Sequence, residues 1–227
     1  MPVRLTHWVN ALCLLLLLMS GLQILNAHAA LYWGETSPFD RPWISFGSGD
    51  EPAFPGWMIL PGWQDLASGR RWHFFFAWLF VLNGLAYVVY ALVSGRVRRV
   101  LAPDRNQLRG IGRTLVDHLR LRFAHGEAAR QYNVLQKLTY LAVLFGLLPL
   151  MVATGLTMSP GMDARLNFLT VLFGGRQSAR SIHFVTAAAL VLFFFIHIAA
   201  ILAAGPLNEM RSIVTGWFVI GRQERRP

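Results

Sequence analysis

The residues of this 227-residue chain best suited to chemistry are its seven histidines. A neutral imidazole ligates transition metals and titrates near neutrality. Four of the seven, His7, His73, His183 and His197, fall within or at the ends of long apolar stretches. Ionisable or ligating groups at membrane depth are costly, so each marks a functional position. His183 and His197 stand fourteen residues apart on one stretch; on a helix they lie ~40° from alignment and ~21 Å apart along the axis, so one face presents two imidazoles at two depths. The single cysteine, Cys13, sits in a leucine run. That excludes an intramolecular disulfide, a Cys-x-x-Cys-His attachment and a zinc or iron–sulfur cluster, and leaves a cofactor only histidine, carboxylate or backbone to rest on. No phosphate-binding glycine loop, carboxylate pair or nucleophilic triad occurs. His28, His118 and His125 read as hydrogen-bonded or surface residues.

Those histidines need elements to position them, and composition says which. With 55% hydrophobic and 14% charged residues and a mean hydropathy of +0.44, the chain is too apolar for a soluble domain. Four stretches, approximately 5–26, 72–93, 138–158 and 182–204, are long enough to span a hydrocarbon core of ~30 Å. Segments rich in Gly, Pro and charge separate them, including Arg41-Pro42 and Ala102-Pro103. No internal repeat is evident, so residues 1–227 read as one membrane domain. The expected fold is all-α: an integral membrane four-helix bundle with a cytoplasmic amphipathic helix and a long periplasmic loop.

Charge sets the topology. The N-terminus, the 95–137 segment and the C-terminal tail carry 15 of the 21 basic residues, and the acids divide 5 and 6. The positive-inside bias then makes both termini and the 95–137 segment cytoplasmic. The net charge of +10 is thereby a topology signal, not a nucleic-acid footprint. Met1–Arg4, Leu12–Met19 and Ala27-His28-Ala29 imitate a cleavable signal peptide. Thr6-His7-Trp8 and Asn10 have no purpose in a discarded segment, which favours a retained first helix.

Alternating helix direction creates two depth-matched pairs, His73 with His183 at the outer level and His7 with His197 at the inner. From the helix midpoints His73 and His183 are each ~15 Å outward, whereas His197 is ~6 Å and His7 ~12 Å inward, so the outer pair matches better. Two imidazoles facing across a bundle suit a six-coordinate haem iron, whereas zinc would need more ligands at one level. Two such centres would carry electrons across the slab. Gly21, Gly84, Gly146 and Gly155 could admit a porphyrin close to backbone or serve ordinary helix packing.

The first outer loop, Ala27–Arg71, holds Trp33, Trp43, Trp57 and Trp63. It is longer than a connection requires, and reads as a docking face for an external protein or as an aromatic belt. On the other side, Leu108, Ile111, Leu115 and Leu119, with Arg109, Arg113, Arg120 and Arg122, predict an amphipathic helix over about 106–123 lying on anionic lipid.

The chain resembles the bacterial cytochrome b561 and nickel–iron hydrogenase cytochrome b superfamily. The resemblance is carried by Arg4-Leu5-Thr6-His7-Trp8-Val9-Asn10-Ala11, by Gly69-Arg70-Arg71-Trp72-His73, by Tyr132-Asn133-Val134-Leu135-Gln136-Lys137, and by His183 and His197. It implies a membrane subunit with two b-type haems, whose axial ligands would be His7, His73, His183 and His197. It also implies electron exchange between an external redox enzyme and membrane quinone. The long outer loop is most similar to members paired with periplasmic molybdopterin oxidoreductases; a hydrogenase-type partner stays open. The family's quinone site lies near the cytoplasmic haem, where Asn10, Asn133, Gln136 and Lys137 supply polar groups. Arg70 and Arg71 could meet propionates or anchor the surface. Two alternatives remain: a self-sufficient superoxide:quinone oxidoreductase on the same scaffold, and a haem-free membrane anchor.

Overall fold

A computed structural model describes residues 2–47, 51–120 and 133–217. Among them, four helices are long and apolar enough to cross a membrane: Pro2–Asn26, Leu66–Val93, Val134–Met158 and Arg176–Ala204. Two begin six residues earlier than hydropathy indicates, at Leu66 and at Arg176. A hydropathy window marks the hydrocarbon-buried part, whereas the backbone stays helical into the polar interface. Arg70, Arg71, Arg176 and Arg180 are therefore helical residues and not loop residues.

The chain divides into two compact units. One comprises Leu5–Tyr87 and Leu148–Ala189. It holds most of α1 (Pro2–Asn26), the outer loop, most of α2 (Leu66–Val93), α6 (Leu148–Met158) and the first half of α9 (Arg176–Ala204). Its core packs Cys13 of α1 against Phe76 and Phe80 of α2, with Leu148 and Val152 of α6 on the same cluster. Cys13 is a small apolar filler here. The opposite faces of α2, such as Leu82 and Leu85, stay exposed as lipid-facing side chains must.

The outer loop is a built structure. A two-residue ladder pairs β1 (Ala30–Leu31) with β2 (Ile44–Ser45). The loop is tied to the helix ends it covers. Asn26 exchanges hydrogen bonds with the Phe54 backbone, both 2.9 Å, and Gln23 Nε2 donates to the Trp63 carbonyl at 2.9 Å. At the start of α9, Ser178 Oγ accepts from the Gly34 amide (2.8 Å), and Ser181 Oγ accepts from Trp43 Nε1 (2.9 Å) while donating to the Tyr32 carbonyl (2.6 Å). Gly175, at φ +110°, lets the loop come so close that a Cβ there would overlap the Gly34 carbonyl.

The other unit comprises Met1–Arg4, Val88–Leu147 and Leu190–Pro227. Here the sequence expectation of one helix over about 106–123 needs correction. The backbone forms α3 (Arg105–Arg109) and α4 (Ile111–Leu119), separated at Gly110. Asp104 caps α3 through a capping box with Gln107, and α3 ends at Gly110, whose amide donates back to the Asn106 carbonyl. Leu108, Ile111, Leu115 and Val116 remain exposed. The side chains of His118 and Leu119, and residues Arg122 and His125, lie outside the described residues, as does Tyr132. The third span contains a π-turn at Val143–Leu147, directly before α6. Pro149 explains it: its ring displaces the carbonyl four residues earlier and it donates no hydrogen bond.

Candidate haem site

His73 and His183 both stand seven residues past the start of their helices, in the same unit. Their rings face each other with centroids 6.3 Å apart and planes at 60°. Each ring is held from behind by a helix that contributes neither histidine of the pair. Ser20 on α1 lies 3.1 Å from His73 Nδ1, and Thr154 on α6 lies 2.9 Å from His183 Nδ1.

The direction of these bonds follows from the other contacts of each hydroxyl. Ser20 Oγ donates its proton to the Leu16 carbonyl at 2.6 Å, and Thr154 Oγ1 donates to the Leu150 carbonyl at 2.7 Å. Each hydroxyl can then only accept from its histidine, so both rings carry the proton on Nδ1. Nε2 is left with its lone pair on both, the form in which imidazole ligates a metal.

The two supports are copies of one device. Each hydroxyl is followed by a glycine whose missing Cβ would sit 3.4 Å from the histidine Cε1, Gly21 against His73 and Gly155 against His183. Each is followed three residues on by a buried polar side chain, Gln23 or Thr157. Met19-Ser20-Gly21-Leu22-Gln23 and Ala153-Thr154-Gly155-Leu156-Thr157 thus carry one five-residue motif twice, far shorter than the domain-scale repeat that the sequence lacks. It is the one signal in the chain that could have revealed Ser20 and Thr154.

What such a pair can hold is limited by count. Among the described residues no group of three or more His, Cys, Asp or Glu is placed to bind a metal ion. Two imidazoles are too few for zinc. They suffice for a metal that brings its own equatorial ligands, as haem iron does. The spacing agrees. A metal–imidazole bond of roughly 2 Å, plus about 1 Å from nitrogen to ring centre on each side, separates two axial rings by about 6 Å, against 6.3 Å here. The residues present therefore fit a haem, which when bound supplies a one-electron centre.

The other expected residues are distributed as follows. His7, in the first unit, packs edge-on against Trp8 at 5.5 Å, and His197, in the second, stacks on Phe193 at 5.7 Å. Asn10 Oδ1 accepts from Asn83 Nδ2 at 2.7 Å, and Asn83 also donates to the Thr6 carbonyl. This ties α2 to α1 at the level of His7. A Cβ on the next residue, Gly84, would meet nothing within 4 Å, nor would one on Gly146. Asn133 and Gln136 form the reciprocal cap of α5 (Val134–Ala142), and Lys137 Nζ donates to Gln107 Oε1 (3.0 Å) and the Ala102 carbonyl. Arg70 and Arg71 are exposed on the first turns of α2.

Four apolar spans and a facing imidazole pair define a membrane cytochrome b. The prokaryotic cytochrome b561 family matches residues 1–216, and the chain belongs to that family. It is similar to a protein of Azospira oryzae that carries the provisional name protein-methionine-sulfoxide reductase subunit YedZ1, 31% identical over 199 residues, or 88% of this chain and 87% of the relative. No solved structure matches.

Proposed function

We propose that this membrane cytochrome b is a dihaem subunit that relays electrons between a periplasmic oxidoreductase and membrane quinone. The observation that carries the reading is the His73–His183 pair, 6.3 Å apart with both Nδ1 positions satisfied. His7 and His197 would ligate the second, inner haem. The open space beside Gly84, at the level of His7, supports a flat group there. Membership of a cytochrome b family supports b-type haem and electron transfer, and the relative's designation as a reductase subunit supports a partner enzyme. A periplasmic molybdopterin oxidoreductase is the partner class that the loop length favours. Asn10, Asn133, Gln136 and Lys137 are the proposed quinone contacts. Three have their polar groups engaged in caps or helix pairing, which leaves the third Lys137 ammonium hydrogen, beyond the two given to Ala102 and Gln107, as the donor for a quinone carbonyl. The charge asymmetry supports an inner-membrane location with both termini cytoplasmic.

The test is haem stoichiometry combined with ligand variants. A pyridine-haemochrome assay of purified protein should read two haems per chain. His73→Ala and His183→Ala should abolish one spectral component, and His7→Ala and His197→Ala the other. One haem or none would refute the dihaem reading, and loss of the same component in His73→Ala and His197→Ala would refute the pairing. Rapid reduction by superoxide without any partner would turn the assignment toward the self-sufficient superoxide:quinone oxidoreductase.

A further inference from the structure

Resting on the reading of His73 and His183 as axial ligands, we propose that Ser20 and Thr154 are positioning residues that set the reduction potential of the outer haem. They do so by fixing the tautomer of the two imidazoles and tuning their donor strength.

Both hydroxyls occupy positions with no packing need for a polar group. Ser20 and Thr154 are fully buried within apolar helices, and neither helix contributes a ligand to the pair. Each spends its proton on the carbonyl four residues earlier, which closes off the donor role and leaves a lone pair for Nδ1–H. Repetition of the arrangement on two different helices, around two different histidines, argues against coincidence.

The chemical consequence has a definite sign. A hydrogen bond accepted from Nδ1–H draws that proton away from the ring and makes Nε2 a stronger electron donor. Ferric iron carries one more positive charge than ferrous iron, so a stronger axial donor stabilises the oxidised form and lowers the potential. Removing a hydroxyl acceptor weakens the donor and shifts the equilibrium toward the reduced form. Because the two hydroxyls act on separate imidazoles that would hold one iron, their effects should add.

The experiment is potentiometric titration of the purified protein, following the spectral component lost in His183→Ala, together with electron paramagnetic resonance of the ferric form. Thr154→Val keeps the volume and removes the hydroxyl; Ser20→Ala removes the other. Each should raise the midpoint potential by an amount equivalent to a several-fold change in the reduction equilibrium and move the low-spin ferric g values, with the double variant near the sum. Thr154→Ser and Ser20→Thr, which restore the hydroxyl, should return to the parent potential. Unchanged potential and g values in Thr154→Val and Ser20→Ala, with haem retained, would overturn the proposal. So would a shift in Thr154→Val that Thr154→Ser reproduces, since that would mark lost packing and not a lost acceptor. Should Thr154→Val lose the haem, Ser20→Ala decides by the same criteria. A parent protein with no component that depends on both His73 and His183 would refute the ligand assignment itself, and this proposal with it; a component that is present but insensitive to the hydroxyls refutes this proposal alone.

Discussion

At the scale of single residues, the site depends as much on what is missing as on what is present. Gly21 and Gly155 leave room for a ring edge where a side chain larger than a methyl would press on it, since their Cβ atoms would sit 3.4 Å from Cε1 of His73 and His183. An alanine methyl falls at the tight end of ordinary contact, whereas the branches of valine would enter the ring. Gly155→Val should therefore displace His183 and lose the outer haem component, while Gly155→Ala retains it. Gly84→Leu fills space that is open at the level of His7, and should diminish the inner component while leaving the outer intact. Haem content and the two-component reduced spectrum check both. Loss of the outer component in Gly84→Leu would show that the open space serves a different depth.

At the scale of elements, the outer loop was legible as long and aromatic but not as ordered. Order comes from partners remote in sequence: Gly34 with Ser178, and Trp43 and Tyr32 with Ser181. Nothing in the local pattern of residues 27–47 announces such pairing. His28 makes the loop's packing sensitive to pH. Its ring stacks on Tyr32 at 5.6 Å, and its Nε2 lies 3.1 Å from the Tyr32 hydroxyl. Burial first, and the Arg180 guanidinium second, hold its pKa below the ordinary 6.5. The folded loop thus favours the neutral ring, and the unfolded chain takes up the proton first as pH falls. This contribution to stability is complete above pH 6.5 and is lost as pH falls below it. Thermal unfolding in detergent should show a steeper fall in Tm below that pH for the parent than for His28→Asn. Parallel curves would refute the linkage.

The divided amphipathic segment is the converse case. Periodicity over 106–123 is compatible with one helix, but Gly110 interrupts it, and the apolar positions Leu108, Ile111, Leu115 and Val116 are carried on two short helices. The apolar spacing continues on both sides of the break, so periodicity alone does not reveal it.

At the scale of the whole molecule, the prediction of topology rests on charge alone. Fifteen basic residues on one side and six on the other predict that the outer loop and the α6–α9 connection face the periplasm. In a Cys13→Ser background, a cysteine at exposed Glu35 should react with an impermeant maleimide in intact cells, whereas one at Arg113 in α4 should react only after lysis. The opposite labelling pattern would invert the assignment of inner and outer haem without altering the His73–His183 pair.

The number of spans, their approximate limits, the bias of charge and the four intramembrane histidines follow from sequence alone, because hydrocarbon thickness and desolvation cost act on local composition. Helix direction even brought His73 and His183 to one level, since depth is counted along the chain. Which nitrogen of each ring carries the proton, and which hydroxyl on a neighbouring helix fixes it, depend on the rotation and approach of helices 53 and 29 residues apart in sequence. Those are properties of side-chain packing between spans, and no local pattern encodes them.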